Sequence, residues 1–359
     1  MFGQRLRLAR KREGLSMRAL ADRVTPKVTA QAISKYESGK MLPSSAVLVG
    51  LGKALDVSLD FLMSSQVASL DGLEFRKHSR STVRDRARAG AILIDNLERH
   101  LAIERILDLP VSVDRVRQLR QDGTDSEAAI DSKADAVRAA WNLGMDPIPS
   151  LCELLEDKGI KVVEEDLPER VHGLACRVLR SGRPIAEAVM VSSRISVERK
   201  RLTLAHELAH RIVGSTDSPA IKQEVAMNRF AGAFLVPSEH LLEAVGRRRS
   251  RVTYHEIIRL KRAYGVSASA MLMRLGQVGI LPSASVRHAF VTYARSWRKS
   301  EPEPIPEGHG FAAFERPRRF KRLVWRALAE QLISPVRAAA LLGEPLDAIE
   351  REISGPLVQ

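Results

Sequence analysis

The sequence predicts an α+β protein, in which an all-α N-terminal domain precedes a mainly helical domain that contains a small β-sheet. Short capped helices separated by glycine and proline fill residues 1–65. Three apolar runs of strand length follow later, at 160–163, 171–178 and 186–191. A helix-forming segment, 203–210, comes soon after the third run. We therefore expect two modules of different architecture in one chain.

The N-terminal domain is predicted to contain five short helices. Ser16 caps the second helix, Thr29 caps the third at 30–37, and two more helices fill 44–62. Only a tight turn separates the second helix from the third. This arrangement is typical of a phage-repressor-like helix-turn-helix domain.

The third helix is the predicted recognition helix, because Ile33 and Tyr36 should face the domain core and leave the opposite face outward. The candidate DNA-binding residues are Thr29, Ala30, Gln31, Ser34 and Lys35. The amide of Gln31 is suited to an adenine edge, and Ser34 and Lys35 could touch bases or phosphates. The alternative is that Gln31 and Lys35 are ordinary solvated side chains. The expected partner is a double-stranded DNA operator.

The net charge favours an anionic partner. The chain carries 57 Lys and Arg against 43 Asp and Glu, a formal net charge of +14. Within residues 1–65, eleven basic side chains stand against five acidic ones, a net charge of +6. Such an excess favours phosphate contacts and makes binding dependent on salt.

Cysteine content and hydropathy indicate the compartment. Cys152 and Cys176 are too few for a disulfide framework and are interpreted as reduced core residues, with a reactive thiol as the alternative. No apolar run approaches the roughly 20 residues of a membrane span, and the N-terminus lacks a signal-peptide pattern. We therefore expect a cytoplasmic protein without a membrane partner.

Much of the N-terminal domain resembles the DNA-binding domain of the Xre family. The resemblance rests on Leu20-Ala21, on 32–40 (AISKYESGK), on Pro43 and on 55–62 (LDVSLDFL). It implies operator binding. A homodimer on a palindromic site is a further expectation, because one small helix-turn-helix makes few contacts.

The segment 204–210 (LAHELAH) contains an H-E-x-x-H pattern. Residues i and i+4 share one face of a helix, so His206 and His210 can present ring nitrogens to one metal ion. Glu207 is then placed to act as general base toward the hydrolytic water. Asn228 is the candidate to hold the outer ring nitrogen of one of the two histidines. The alternative is that both histidines belong to an ordinary helix.

Glu224 is the predicted third ligand. Residues 211–223 separate it from His210, which fits a turn containing Gly214 and Pro219 before a second helix folds back. Two histidines and a carboxylate leave a fourth position for water, as in catalytic zinc sites. We expect one Zn²⁺ per chain.

Residues 131–275 resemble the ImmA/IrrE family of metallo-endopeptidases, which implies a mainly helical, zincin-like peptidase domain with a small β-sheet. The segments that carry the resemblance are Gly144 with Pro147-Ile148, Leu155-Glu156, 159–162 (GIKV), 201–210 (RLTLAHELAH), Glu224, 228–237 (NRFAGAFLVP) and 264–267 (YGVS). The resemblance implies zinc ligation by His206, His210 and Glu224, with Glu207 as the base. It also implies a protein substrate, commonly a repressor or an antitoxin.

The interpretation that combines these features is a DNA-binding transcriptional regulator with a zinc-dependent endopeptidase domain that cleaves a repressor or antitoxin protein. An alternative is a transcriptional repressor whose peptidase-like domain senses a metal or a partner without cleaving. Self-cleavage within 66–130 is a third hypothesis. Glu207 favours catalysis, since a pure sensor has no need of a base.

The predicted domain boundaries are 1–65, 66–130, 131–275 and 276–359. The second segment is predicted to be a helical connector, either a dimerising helix or a solvated one. The last segment is predicted to be a helical extension with a basic run at 316–322. That extension is either a second DNA contact or a pair of solvated docking helices.

Two parts of a peptidase site are not assigned by the sequence: the strand edge that binds the substrate and the group that stabilises the oxyanion. A strand edge beside the metal helix often pairs with extended substrate in zinc peptidases. Residues 186–191 are the candidate, with an ordinary central strand as the alternative. No residue can be assigned to stabilise the oxyanion. The side chains of suitable type are Tyr254, His255, His240 and His172.

Overall fold

The computed structural model describes residues 2–63, 69–75, 82–110, 118–120, 126–169, 171–180, 182–213, 223–306 and 308–354. Its elements are α1 (Phe2–Arg12), α2 (Met17–Arg23), α3 (Ala30–Glu37), α4 (Ser45–Leu55), α5 (Leu59–Met63), β1 (Ser69–Phe75), α6 (Val83–Ile106), α7 (Glu127–Ala140), α8 (Leu151–Asp157), β2 (Ile160–Glu165), β3 (Gly173–Arg180), β4 (Arg183–Ser192), α9 (Val197–Ile212), α10 (Gln223–Leu235), α11 (Ser238–Val245), α12 (Tyr254–Tyr264), α13 (Ala268–Gln277), α14 (Ser283–Val291), α15 (Phe311–Phe314), α16 (Arg319–Ala329), α17 (Pro335–Leu342) and α18 (Leu346–Ser354). The predicted α+β class is confirmed.

Side-chain caps define the helices of the N-terminal domain. The hydroxyl of Ser16 accepts from the amide of Ala19, and that of Thr29 accepts from the amide of Ala32. These caps satisfy donors that a helix leaves open in its first turn. The domain core comprises Phe2, Leu6, Ala9, Leu20, Ala21, Val24, Ile33, Tyr36, Val47, Leu51, Leu55 and Leu62. Helices α2 and α3 form the predicted helix-turn-helix within it.

The described strands form one four-stranded sheet in the order β1-β3-β4-β2. Strand β3 pairs antiparallel with β1 and with β4, while β2 runs parallel to β4. The prediction that 186–191 offers an edge to substrate is wrong, because β4 is hydrogen-bonded on both sides. The central-strand alternative is correct.

The segment predicted as a helical connector contains a strand as well as a helix. Residues 69–75 form strand β1, which completes the sheet through pairing with distant β3. Helix α6 packs its apolar side chains, including Leu93 and Leu97, against the sheet residues Leu174 and Met190. The prediction of a solvated connecting helix is therefore wrong for α6, and the apolar face that a dimerising helix would need is covered within the chain.

The C-terminal extension docks on the rest of the molecule. Lys261 donates to Glu198 and to the carbonyl oxygens of Pro302 and Glu303. These bonds anchor residues 301–306, a proline-rich stretch (EPEPIP), to α9 and α12. Helices α16–α18 share an apolar cluster with Ile103 of α6. The predicted turn with Gly214 and Pro219 lies outside the described residues, as do parts of the connector. Among the described helices, none combines the length and the apolar character needed to span a membrane.

Candidate metal centre and nucleic-acid interface

Helix α9 carries the H-E-x-x-H pattern through the middle of the second domain. Ser196 caps the helix by accepting from the amide of Arg199. Leu204, Ala205, Leu208 and Ala209 fix its orientation, because all four are buried in the main apolar core. His206 and Glu207 are also fully buried, at 0% exposure. Charged and polar groups at such depth need compensating partners, which marks this stretch as a site.

Helix α10 brings Glu224 to the two histidines. The Nε2 atoms of His206 and His210 lie 3.2 Å apart, and Nε2 of His206 lies 3.5 Å from Oε2 of Glu224. The three ligating atoms all lie within 4.8 Å of one another. His210 and Glu224 are half-buried, so solvent reaches this group from their side. We call these three residues the metal group.

The donor set suits a zinc ion. Two ligands at about 2.0–2.1 Å from one tetrahedral ion stand about 3.3 Å apart, which agrees with the measured 3.2 and 3.5 Å. Two imidazoles and one carboxylate leave a tetrahedral ion one open position. This group could therefore hold a catalytic rather than a structural ion.

Asn228 orients the first histidine. Its Oδ1 lies 3.1 Å from Nδ1 of His206, while its Nδ2 donates to the carbonyl oxygen of Glu224 at 2.8 Å. The second contact sets the amide orientation, so Oδ1 faces the histidine and accepts a hydrogen bond from the N–H group at Nδ1. The lone pair of His206 is thereby left on Nε2, the atom that faces the other ligands.

Strand β3 begins directly beside Glu207. A Cβ placed on Gly173 would stand 2.5 Å from Cγ2 of Thr203 and 3.5 Å from Oε1 of Glu207. Only glycine fits at this position without displacing α9 or β3. No role for Gly173 was predicted from the sequence, although an isolated glycine inside an apolar strand indicates a close approach of another backbone or side chain.

Ion pairs hold α10 in register with its neighbours. Arg229 binds Glu127 and Asp131 of α7, and Asp131 also binds Arg274 of α13 at 2.9 Å. Because Arg229 lies one residue after Asn228, this network fixes the helix that carries Glu224. No role of its own was predicted for Arg229 from the sequence, since partners about 100 residues away leave no local signal.

A second buried pair fixes α9 itself. Arg201 binds the carboxylate of Glu315, and both side chains are fully buried. The same carboxylate accepts from the amides of Leu151 and Cys152 at the start of α8. Residue 315 of the C-terminal extension thus joins α8 to the metal helix, a role that the sequence analysis missed.

The four residues considered as oxyanion partners occupy different surroundings. Tyr254 packs edge-on against Trp297, and His240 contacts the hydroxyl of Tyr264 at 3.2 Å. Neither contact involves the metal group. His255 is exposed on α12, whereas His172 directly precedes Gly173 and so lies on the chain segment next to Glu207.

Both cysteines are buried and free of disulfides. Burial raises the pKa of the Cys176 thiol to about 12 and raises that of Cys152 well above its ordinary value. A neutral buried thiol is a poor nucleophile. The interpretation of both as reduced core residues agrees with this environment.

The recognition helix presents the predicted face. Ile33 and Tyr36 are buried, whereas Gln31, Ser34 and Lys35 are exposed. Thr29 is exposed as the helix cap, and Ala30 is half-buried. The three exposed side chains therefore share one surface that is available to a DNA groove.

Two family models match separate parts of the chain. Residues 6–62 match the family model for helix-turn-helix domains, and residues 155–276 match that for the IrrE N-terminal-like domain, an M78 peptidase family. Residues 131–154 of the expected peptidase domain lie outside the second match.

Two relatives from Bacillus subtilis (strain 168) match a short part of the chain. The SPbeta prophage-derived uncharacterized HTH-type transcriptional regulator YonR is 39% identical over 71 residues, which are 20% of this chain and 64% of the relative. The uncharacterized HTH-type transcriptional regulator YqaE is 33% identical over 66 residues, 18% of this chain and 55% of the relative. The chain thus spans between half and two thirds of the length of these curated relatives. Its N-terminal part is thus similar to helix-turn-helix domains of Xre type, and a later part is similar to the IrrE N-terminal-like peptidase family.

Proposed function

We propose that this protein is a transcriptional regulator whose second domain is a zinc-dependent endopeptidase acting on a repressor or antitoxin protein. The observation that carries the proposal is the convergence of three ligating atoms within 4.8 Å on α9 and α10. Glu207 directly follows His206 on α9 and supplies the carboxylate that hydrolytic zinc sites use as a base. The match to a peptidase family supports the same reaction class.

Each residue of the site has a distinct role in this proposal. His206, His210 and Glu224 would hold one zinc ion per chain, which when bound would supply Lewis acidity and lower the pKa of water. Glu207 would take a proton from the hydrolytic water and deliver it to the leaving amine. Asn228 would keep Nδ1 of His206 protonated so that Nε2 stays available.

The second candidate function is a regulator that senses a metal or a partner and does not cleave. The burial of His206 and Glu207 favours it, because a peptide would have to approach from the side of His210 and Glu224. Both candidates include the metal group, but only the peptidase needs Glu207 as a base.

The first experiment measures metal and cleavage together. We expect about one zinc per purified chain by elemental analysis, lost in His206→Ala and in Glu224→Ala. Glu207→Gln should retain the metal. Profiling of new protein N-termini in cells that produce wild type or Glu207→Gln then tests cleavage. Fragments of a repressor or antitoxin that depend on the wild type would support the peptidase.

The outcomes separate the hypotheses. Zinc binding with identical N-termini in both strains would favour the sensor. A wild type that stays without zinc after reconstitution would contradict the peptidase and the metal sensor, and would leave only a sensor of a partner. Self-cleavage between the modules predicts truncation of the purified wild type on zinc addition, with Glu207→Gln intact. A sample that remains full length by mass spectrometry would exclude it.

DNA binding is tested on α3. We expect Gln31→Ala to weaken the binding free energy for the operator by about 1–3 kcal/mol and to relax the preference at one base pair. We expect Lys35→Ala to weaken binding to all DNA sequences alike, and to lower the slope of log affinity against log salt concentration by about one. Lys53→Ala is the matched control, since Lys53 is exposed on α4 of the same domain. Fluorescence anisotropy on a selected operator over a salt series measures both effects. Equal behaviour of the Lys35 and Lys53 variants would contradict the assignment of Lys35.

A further inference from the structure

A cleft of about 880 Å³ lies where the N-terminal domain, α6, the end of β3 and α17 meet. Its lining includes six arginines: Arg5, Arg12, Arg99, Arg105, Arg180 and Arg337. The acidic residues of the lining are Asp56, Asp95 and Glu98. The walls therefore carry three more positive than negative charges. The volume lies within the range of about 300–1,000 Å³ that small-molecule sites occupy.

Most of these arginines share their counter-ions. Arg5 and Arg180 both approach Glu98, at 3.3 and 3.8 Å. Arg12 and Arg99 both approach Asp95, at 3.2 and 2.9 Å. Each carboxylate thus faces two guanidinium groups. The two guanidinium groups at each carboxylate still repel each other, and an added anion would offset this repulsion. A phosphate suits the position, because guanidinium groups bind phosphate oxygens in paired hydrogen bonds.

The cleft also contains donors that lack acceptors within the described part of the chain. The buried Nε atoms of Arg99 and Arg180 have no hydrogen-bond partner there. Arg105 and Arg337 are exposed at the cleft and form no ion pair with any described residue. A buried donor without an acceptor is unfavourable, because it has lost its hydrogen bonds to water. A ligand with several acceptor oxygens would satisfy such groups.

The arginines surround an apolar floor. Phe61, Leu101 and Leu341 belong to the lining, and the guanidinium of Arg5 lies 5.1 Å from the centre of the Phe61 ring. The side chain of Arg5 is only 4% exposed. Its position is thus fixed by packing as well as by Glu98, which makes this part of the wall preorganised.

We infer that this cleft is a binding site for a small molecule that carries a polyphosphate group. The guanidinium groups contact its oxygens, and the apolar floor receives the rest of the ligand. Such a ligand connects the DNA-binding domain to α6 and to the C-terminal helices, because the walls come from all three. The site is separate from the metal group and does not depend on peptidase activity.

Calorimetric titration of the full-length protein with inorganic pyrophosphate tests the inference. We expect saturable binding of one pyrophosphate per chain, and none with sodium chloride at the same ionic strength. The double variant Arg105→Gln/Arg337→Gln should bind at least about tenfold more weakly, since each lost charge-assisted contact is worth about one factor of ten. Both side chains are exposed, so the fold should tolerate their loss; circular dichroism checks this.

A matched control removes the same charge elsewhere. Arg247→Gln/Arg248→Gln alters two exposed arginines after α11, which do not line the cleft, and should leave the affinity within about twofold of the wild type. Absence of saturable binding at millimolar pyrophosphate would overturn the inference, as would equal weakening in both double variants. Loss of duplex DNA binding by the Arg105/Arg337 variant without any pyrophosphate binding would assign the cleft to the DNA backbone and also overturn it.

Discussion

At the scale of single residues, the metal group depends on side chains that set the state of its ligands. Asn228 contacts both His206 and the backbone of Glu224, so one amide couples a ligand on α9 to the helix that supplies the third ligand. The sequence predicted that Asn228 would hold one of the two histidines. The choice of His206 follows from the packing of α10 against α9, which the spacing of the residues alone does not determine.

Asn228→Leu should lower zinc affinity by about 10- to 100-fold, the usual effect of removing a group that orients a metal-ligating histidine. The proton on Nδ1 of His206 would lose its acceptor, and the ring would be free to turn. Competition with a chromophoric chelator measures the change. Asn228→Asp, which keeps an acceptor oxygen, should retain most of the affinity. Equal losses in both variants would show that Asn228 acts only through packing.

At the scale of elements, buried ion pairs fix the metal helix. Arg201 of α9 pairs with Glu315 and also donates to the carbonyl oxygen of Ile148 at 2.7 Å. The guanidinium stacks 4.3 Å from the ring centre of Phe311. Helix α9 is therefore held from one side by the C-terminal extension, so this extension is part of the scaffold that positions His206.

Glu315→Gln should lower the free energy of unfolding by about 3–5 kcal/mol, because it leaves the buried charge of Arg201 uncompensated. Glu330→Gln is the control, since it breaks the exposed pair between Arg326 of α16 and Glu330, the residue directly after that helix. Glu330→Gln should change the free energy of unfolding by no more than about 0.5 kcal/mol. Urea unfolding followed by circular dichroism compares the two. Similar effects would contradict the buried pair's role.

At the scale of the whole molecule, α6 connects all parts. It contacts the N-terminal domain through Asp95 and Glu98, the sheet through Leu93, and the C-terminal helices through His100. His100 stacks on Phe320 of α16 with ring centres 4.4 Å apart. Burial first, and then the nearby cations of Lys161, Arg99 and Arg319, lower the pKa of His100 from 6.5 to about 3.

This pKa makes stability depend on pH. Below pH 6.5 the unfolded chain protonates His100 while the folded protein keeps it neutral, so the unfolded state gains protons as the pH falls. Stability should therefore decline from about pH 6.5 toward pH 3, by on the order of 1 kcal/mol per pH unit from this residue. Urea unfolding at pH 8, 6, 5 and 4 should show a shallower decline in His100→Phe than in the wild type.

The matched control for the pH series is His255→Phe, because His255 is exposed on α12. The free energy of unfolding of this variant should decline with falling pH as steeply as that of the wild type. If His100→Phe declined as steeply as the wild type, then another group would cause the acid sensitivity, and the neutral buried state of His100 would not be the reason.

Features that depend on contacts between near neighbours in the chain were predictable, whereas features that depend on distant residues were not. The capped helices of the N-terminal domain and the period of its apolar residues were predictable, since caps and periodicity act within a few residues. The proximity of His206 to His210 is likewise local. Strand β1 was missed because its residues become a strand only by pairing with β3, about a hundred residues further along the chain.

The sequence by itself therefore determined the two modules, the faces of the recognition helix and the pattern of chemistry on α9. The tertiary structure alone decided that β4 is a central strand, that α6 is buried and that Glu315 compensates Arg201. It alone brought six arginines from separate elements to one cleft. The reason is physical: hydrogen bonds within a helix connect neighbours in the chain, whereas sheet pairing and buried charge depend on residues that only folding brings together.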